Sequence, residues 1–331
     1  MDAIVLEGLT KTFGSVKAVD TVSLRIPEGQ LFGLLGPNGA GKTTIINMLT
    51  TLLKPTAGAA TVAGFNLSTE PDNIRRHIGI IFQDPSLDRD LTGRENIDFH
   101  AMMYGMSKEL RHQKIAEVLE VVDLAQKADL LVDQYSGGMK RRLEIARGLV
   151  HSPRILFLDE PTLGLDAQTR RRIWDYLRSL NKKLGITVIL TTHYMEEADS
   201  LCDRIAIIDH GRIIALDTPE NLKSGLGGDI LTFECDETEV DRVIAILQDI
   251  SGASSVISDG MKISVVIPNA ERHLPEIIAN VQAAGIMLQS ASIKKPSLEE
   301  VFISYTGSTI REENGSLSDK VRSFTIRRMR Q

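Results

Sequence analysis

Apolar and polar side chains alternate over residues 3–7 and 22–26, the period of a strand with one buried face, with turns marked by Gly14 and by Pro27-Glu28-Gly29. A small antiparallel sheet is predicted there. Other runs lose the alternation and are apolar almost throughout: residues 31–35, 78–82, 155–158 and 187–190. Strands covered on both faces read this way, as in the parallel core of an α/β fold. Helical spacing fills the intervals, for example Ile45, Ile46, Met48 and Leu49, then Leu143, Ile145, Ala146 and Leu149, then Ile173, Trp174, Leu177 and Leu180. It dominates from about residue 84 to 150, with Ile115, Val118, Leu119 and Val122 on one face, and predicts an inserted helical lobe. A turn at 55–58 precedes a strand at 60–65, and residues 204–208 and 212–216 pair as a hairpin that closes the unit.

From Asp229 the pattern changes to strand 230–234, helix 239–250, strands 254–258 and 262–267, helix 274–284 and strand 287–293. That β-α-β-β-α-β order predicts a ferredoxin-like α+β module. The chain is thus divided into 1–223, 224–306 and a polar, mobile tail, 307–331. The tail carries Lys320, Arg322, Arg327, Arg328 and Arg330; a solvated segment is the default reading, attraction to anionic lipid the alternative.

A length of 331 residues with 42% hydrophobic side chains supports two cores, and the net charge of -6 argues against bulk affinity for nucleic acid. Cys202 and Cys235 match no metal spacing and read as reduced cytosolic thiols. No run approaches the roughly 18 apolar residues of a membrane span. Work at a membrane would require another chain to cross it.

The chemistry concentrates after the strand at 31–35, where Gly36-Pro37-Asn38-Gly39-Ala40-Gly41-Lys42-Thr43-Thr44 opens a helix. Strand, glycine turn and Lys-Thr at a helix start form a phosphate-binding loop. Its backbone N–H groups and the helix dipole face a polyphosphate, Lys42 adds a full charge, and the Thr43 hydroxyl suits Mg²⁺. The reading is nucleoside-triphosphate binding. Gln83, where a strand leaves the core, is a solvated terminus or a contact for Mg²⁺ or the attacking water. The run 155–158 ends in Asp159-Glu160. Side chains alternate along a strand, so the two acids diverge: Asp159 toward Mg²⁺, Glu160 free to deprotonate water, a step worth about 10²- to 10⁴-fold. His193 ends the neighbouring strand and suits a γ-phosphate contact. Ser136-Gly137-Gly138 is a second glycine turn at a helix start, either a simple N-cap or an anion site serving another copy. Phe13, at the first turn, either stacks on a purine or caps the sheet.

Taken in order, G-P-N-G-A-G-K-T-T, Gln83, Y-S-G-G-M, I-L-F-L-D-E-P-T, G-L-D and His193 resemble the nucleotide-binding domain of ATP-binding cassette (ABC) transporters over residues 1 to about 223. The resemblance implies two cassettes paired head to tail around two ATP molecules. By it, residues 36–44 bind phosphates, Gln83 and Asp159 serve Mg²⁺ with Thr43, Glu160 is the general base and His193 meets the γ-phosphate. Ser136 to Gly138 close the partner's site, Asp166 bridges the subunits, and Phe13 takes the adenine position. Tyr135 and Met139 stand where many cassettes carry Leu and Gln. The ending, with Leu298-Glu299-Glu300-Val301-Phe302, resembles the daunorubicin-resistance-type drug-export ATPases. That implies an exporter's ATPase subunit on the cytoplasmic side of the membrane, with a transmembrane permease and a second ATP-binding subunit as partners. The C-terminal module then strengthens dimerisation or senses ligand. Two other classes compete. A soluble cassette acting on DNA or ribosomes usually adds a long coiled coil or a second cassette. A GTPase needs Asp where Asn181-Lys182-Lys183 is followed by Leu184.

Overall fold

The alternating residues near the amino terminus form two long strands, Asp2–Phe13 and Val16–Pro27, paired antiparallel with Ile4 opposite Ile26 and Leu6 opposite Leu24. Ala57–Val62 and Phe65–Asn66 extend this sheet. The strand at Ala57 begins inside the predicted turn. Gly58, at φ +84°, lies so close to the Gly8 carbonyl that a Cβ would collide with it, so the bulged strand continues where a bulkier residue would end it. The structure is a computed structural model that describes residues 1–83 and 86–306; the basic tail of the sequence reading lies outside them.

A six-stranded sheet forms the centre of the first unit, in the order Arg212–Asp217, Arg204–Asp209, Leu31–Leu35, Thr187–Thr192, Ile155–Asp159 and Ile78–Ile81. All neighbours are parallel except the hairpin at the Arg212–Asp217 edge. Every residue of Leu31–Leu35, Ile155–Asp159 and Thr187–Thr192 is buried, which is why these runs do not alternate. The register sets Leu35 opposite Thr192 and Asp159 opposite Thr191. The phosphate loop, Glu160 and His193 therefore leave the core at one edge, where open α/β sheets hold ligands.

The helical lobe contains Gly93–Met103, closed by a Thr92/Glu95 capping box, and Lys108–Val121, capped by Ser107. Gly137–Leu149 leads back to the sheet, and Ala167–Leu184 ends on left-handed Gly185. Three short helices, Pro71–His77, Met195–Leu201 and Pro219–Ser224, carry too few turns to show a period in the sequence. Among the described residues no helix is long and apolar enough to cross a membrane.

The second compact unit includes Pro219–Ser224, which packs against its helix Leu298–Thr306. Its antiparallel sheet runs Ser254–Asp259, Lys262–Ile267, Asp229–Glu234, Ser290–Lys294, the ferredoxin-like order. Helices Val240–Gln248 and Ala270–Ala283 join Leu231, Phe233, Ile263 and Val265 in its core.

Candidate active site

The phosphate loop is shaped by close backbone approach. Gly41 caps the helix Lys42–Leu49 at φ +105°, and a Cβ there would collide with the Ala18 carbonyl. Lys42 is nearly buried and donates from Nζ to the Gly36 carbonyl (2.8 Å) and the Pro37 carbonyl (3.1 Å). Its Nζ also lies 3.9 Å from Glu160 Oε1. Burial pushes the Lys42 pKa down, against the opposing pull of the Glu160 and Asp159 carboxylates.

The two acids at the end of Ile155–Asp159 meet different partners. Asp159 Oδ1 accepts from the Thr43 hydroxyl (3.3 Å) and from the Thr191 hydroxyl. Glu160 Oε1 lies 3.1 Å from His193 Nδ1. That hydrogen bond, followed by the nearby positive charges, holds the Glu160 carboxyl below its usual pKa although burial opposes it. Glu160 also sits at φ +45°, a left-handed conformation costing a β-carbon residue about 1–3 kcal/mol, and its N–H donates to the Thr191 hydroxyl (3.0 Å). Such strain persists where the surroundings enforce it.

A cavity of about 420 Å³ collects Asn38, Gly39, Gly41, Lys42, Thr43, Thr44, Gln83, Glu160 and His193, with Ala18 and Leu163 on its wall. Gly36, Pro37 and Ala40 of the same loop do not line the cavity, nor does Asp159, which accepts from the Thr43 hydroxyl. A hollow of about 690 Å³ in the second unit is larger, but its charges balance. Glu220, Asp229 and Glu271 there face Lys223, Arg272 and Lys295, and Asp229 already occupies the helix N-terminus by accepting from the Ala270 N–H (3.1 Å).

Phe13, Ser136, Gly137, Gly138 and Asp166 do not line the nucleotide-sized cavity. Phe13 is half exposed at the end of its strand, with the Lys11 ammonium 5.1 Å from the ring centroid. Ser136 is exposed and its hydroxyl accepts the Met139 N–H (3.3 Å). A Cβ on Gly138 would meet Thr169 Cγ2 at 2.9 Å, which places this turn beside the Asp166 cap. Asp166 is exposed and accepts from the Thr169 N–H (2.9 Å) and hydroxyl (2.6 Å), bonds that hold its carboxyl below the usual range. Tyr135 is buried because its hydroxyl reaches the Lys127 carbonyl (2.6 Å).

Several residues escaped the sequence reading. Thr191 looks like an ordinary strand threonine, yet it joins Asp159 to the Glu160 backbone. Glu197 reads as one of two acids in a helix, yet it is fully buried, and its Oε1 accepts from the Thr162 hydroxyl (2.8 Å) and the Trp174 indole (2.9 Å). Burial raises its pKa, while hydrogen bonds from Thr192, Thr162 and Trp174 oppose the rise. The native state then holds this proton above the ordinary carboxylate pKa of about 4.3, so wild-type stability falls as pH rises from there through the raised native pKa. Glu197→Gln keeps the acceptor oxygen and removes this pH dependence, with neutral-pH stability within about 1 kcal/mol of wild type or higher. Glu197→Ala strands the two donors and should cost about 2–4 kcal/mol. Urea unfolding at pH 5 and pH 8 reads both; an unchanged slope in the Gln variant would remove Glu197 as the titrating group.

Comparison with known proteins places this geometry. Residues 19–163 match the ABC transporter family, and residues 218–306 match the C-terminal domain of DrrA1-3-like ATP-binding proteins. The chain is 41% identical over 310 residues to the doxorubicin resistance ATP-binding protein DrrA of Mycobacterium tuberculosis, covering 92% of this chain and 93% of that one. It is 40% identical over 309 residues to the daunorubicin/doxorubicin resistance ATP-binding protein DrrA of Streptomyces peucetius, covering 92% of each. Among solved structures, the dimeric post-hydrolysis state of the ATP-binding cassette MJ0796 bound to ADP and Pi superposes with a TM-score of 0.57. It shares 32% identity and covers 65% of this chain and 98% of that one. A Lys-cradled phosphate loop beside a strained carboxylate, followed by a DrrA-type second unit, has one explanation: the chain belongs to the ABC transporter family, as an ATP-hydrolysing ATP-binding protein.

Proposed function

We propose that this chain is the ATPase subunit of an exporter for drug-like or lipid-like molecules, working as a pair of cassettes on the cytoplasmic face of a separate membrane permease. The observation that carries this reading is the incompleteness of the site. Lys42, Glu160 and His193 converge on one cavity, while Ser136 and Gly137 stand exposed and Gly138 half-buried outside it, at a helix N-terminus. A second cassette would supply that turn to this cavity and receive the reciprocal one.

In the proposed chemistry, the loop amides and Lys42 bind the β- and γ-phosphates, and Phe13 stacks on the adenine. Glu160 orients a water and takes its proton, and His193 polarises the γ-phosphate. Thr43, Gln83 and Asp159 are hard oxygen donors suited to Mg²⁺, which needs only one or two protein groups besides phosphate and water. When bound, the ion would neutralise charge on the phosphate oxygens. Asp166, beside the Gly138 turn, bridges the two cassettes. Closure by ATP and release after hydrolysis do work because the nucleotide binds the closed and open states unequally.

The permease has a candidate docking surface. Phe99 (62% exposed), Met102 (52%) and Met103 (72%) share one face of Gly93–Met103, an apolar patch of the kind that marks protein contact. Solubilised membranes probed with the Glu160→Gln chain and Mg-ATP should yield a polytopic membrane protein. Adding Phe99→Asp and Met103→Asp should reduce that recovery at least about tenfold while ATP affinity stays within about twofold, since an interface centre tolerates charge poorly. Recovery of soluble partners or nucleic acid alone overturns the exporter reading; undiminished recovery with the double substitution overturns the docking surface.

A further inference from the structure

Arg141 lies one turn into the helix Gly137–Leu149, in the middle of Lys140-Arg141-Arg142, and is nearly buried (7% exposed). All three guanidinium nitrogens donate. Nε donates to the Pro161 carbonyl (2.7 Å), Nη1 to the Phe82 carbonyl (3.0 Å) and Glu144 Oε2 (2.7 Å), and Nη2 to the Asp159 carbonyl (3.4 Å). Glu144, also buried, accepts the Ser86 N–H at its other oxygen (3.1 Å). Phe82 immediately precedes Gln83, and Asp159 and Pro161 flank Glu160. One rigid fork therefore grips the backbone on both sides of the left-handed Glu160 and at the entry to Gln83.

We propose that Arg141 is a positioning residue for ATP hydrolysis, holding the Glu160 backbone and the Gln83 approach in register and tying both to the helix that presents Ser136 to Gly138. The inference rests on the hydrolytic reading of Glu160. Glu160 occupies a backbone conformation that a β-carbon residue leaves unless it is held, and the carbonyls on either side of it are the held groups. The planar guanidinium spreads its donors over three nitrogens and reaches four acceptors from three segments; a lysine ammonium has three donors on a single nitrogen. Movement of the helix, such as contact of its turn with a second cassette, is thereby delivered to the base of the same chain.

Two variants test this in the full-length chain, with turnover, ATP affinity and melting temperature measured in parallel. Arg141→Met with Glu144→Leu removes the buried pair without stranding a charge, a replacement that buried ion pairs often tolerate. Arg141→Lys keeps the charge but not the fork. Each should lower kcat at least about tenfold with ATP Kd within about twofold, the split expected when a catalytic group is misplaced by a fraction of an ångström. Should the double variant fail to fold, Arg141→Lys decides alone. Turnover within twofold of wild type, or a loss of ATP affinity parallel to the loss of kcat, overturns the positioning role. Glu160→Gln is measured alongside. If it turns over normally, the hydrolytic reading of Glu160 fails and takes this inference with it. If it is inactive while Arg141→Lys turns over normally, only the Arg141 inference fails.

Discussion

Glu160→Gln should leave ATP bound and lower steady-state turnover by about 10²- to 10⁴-fold, the usual contribution of a positioned general base. The substitution is close to isosteric, and an amide oxygen can still face His193 Nδ1, which lies 3.1 Å from the carboxylate. It also removes a negative charge 3.9 Å from Lys42, so ATP affinity should hold or rise. Phosphate release and equilibrium ATP binding separate the two effects, and gel filtration with Mg-ATP should show a closed dimer accumulating. Turnover within a few-fold of wild type would remove Glu160 from the reaction and pass the base to another group on the cavity.

Lys42→Met acts on the other half of the cycle. The Met side chain replaces most of the apolar stem but not the charged head, so the loop loses its tether to the Gly36 and Pro37 carbonyls together with its cation for the phosphates. Charge-assisted hydrogen bonds are worth about 1.5–3 kcal/mol, which corresponds to a loss of about 10- to 100-fold in ATP affinity. The effect is legible in melting. At an ATP concentration of 100 Kd the wild type gains about 2.7 kcal/mol from the ligand, and a variant with a hundredfold weaker site gains only about 0.4 kcal/mol. A ligand-induced shift equal to that of wild type would mean that Lys42 does not contact the phosphates.

Reading by residue pattern works where structure is local. The phosphate loop is a strand, a turn and a helix start in consecutive residues, and its geometry follows from Gly41, Lys42 and their neighbours. Ser136 is an N-cap, visible because a cap answers an N–H group three residues away. Strands buried on both faces show themselves by losing alternation, and the order of elements in the second unit was enough for its ferredoxin-like sheet.

What the pattern could not show is which distant groups share a buried position. The pattern puts the start of a helix at residue 274, but the helix begins at Ala270, whose N–H donates to the Asp229 carboxylate far back in the chain, and Pro275 is accommodated inside. Lys140-Arg141-Arg142 resembles a solvated basic run. Only folding brings the Phe82, Asp159 and Pro161 carbonyls to the middle residue, across separations of 18 to 59 positions. Thr191 and Glu197 are similar cases, ordinary in sequence and joined to Asp159, Glu160, Thr162 and Trp174 by the packing of neighbouring strands and helices. The sequence by itself determined the phosphate cradle, the buried strands around it and the chemical types available at the site, because these depend on spacing and side-chain identity. Tertiary structure alone decided which carbonyls and carboxylates are held at hydrogen-bonding distance, because burying a polar group forces it to find partners wherever the fold brings them.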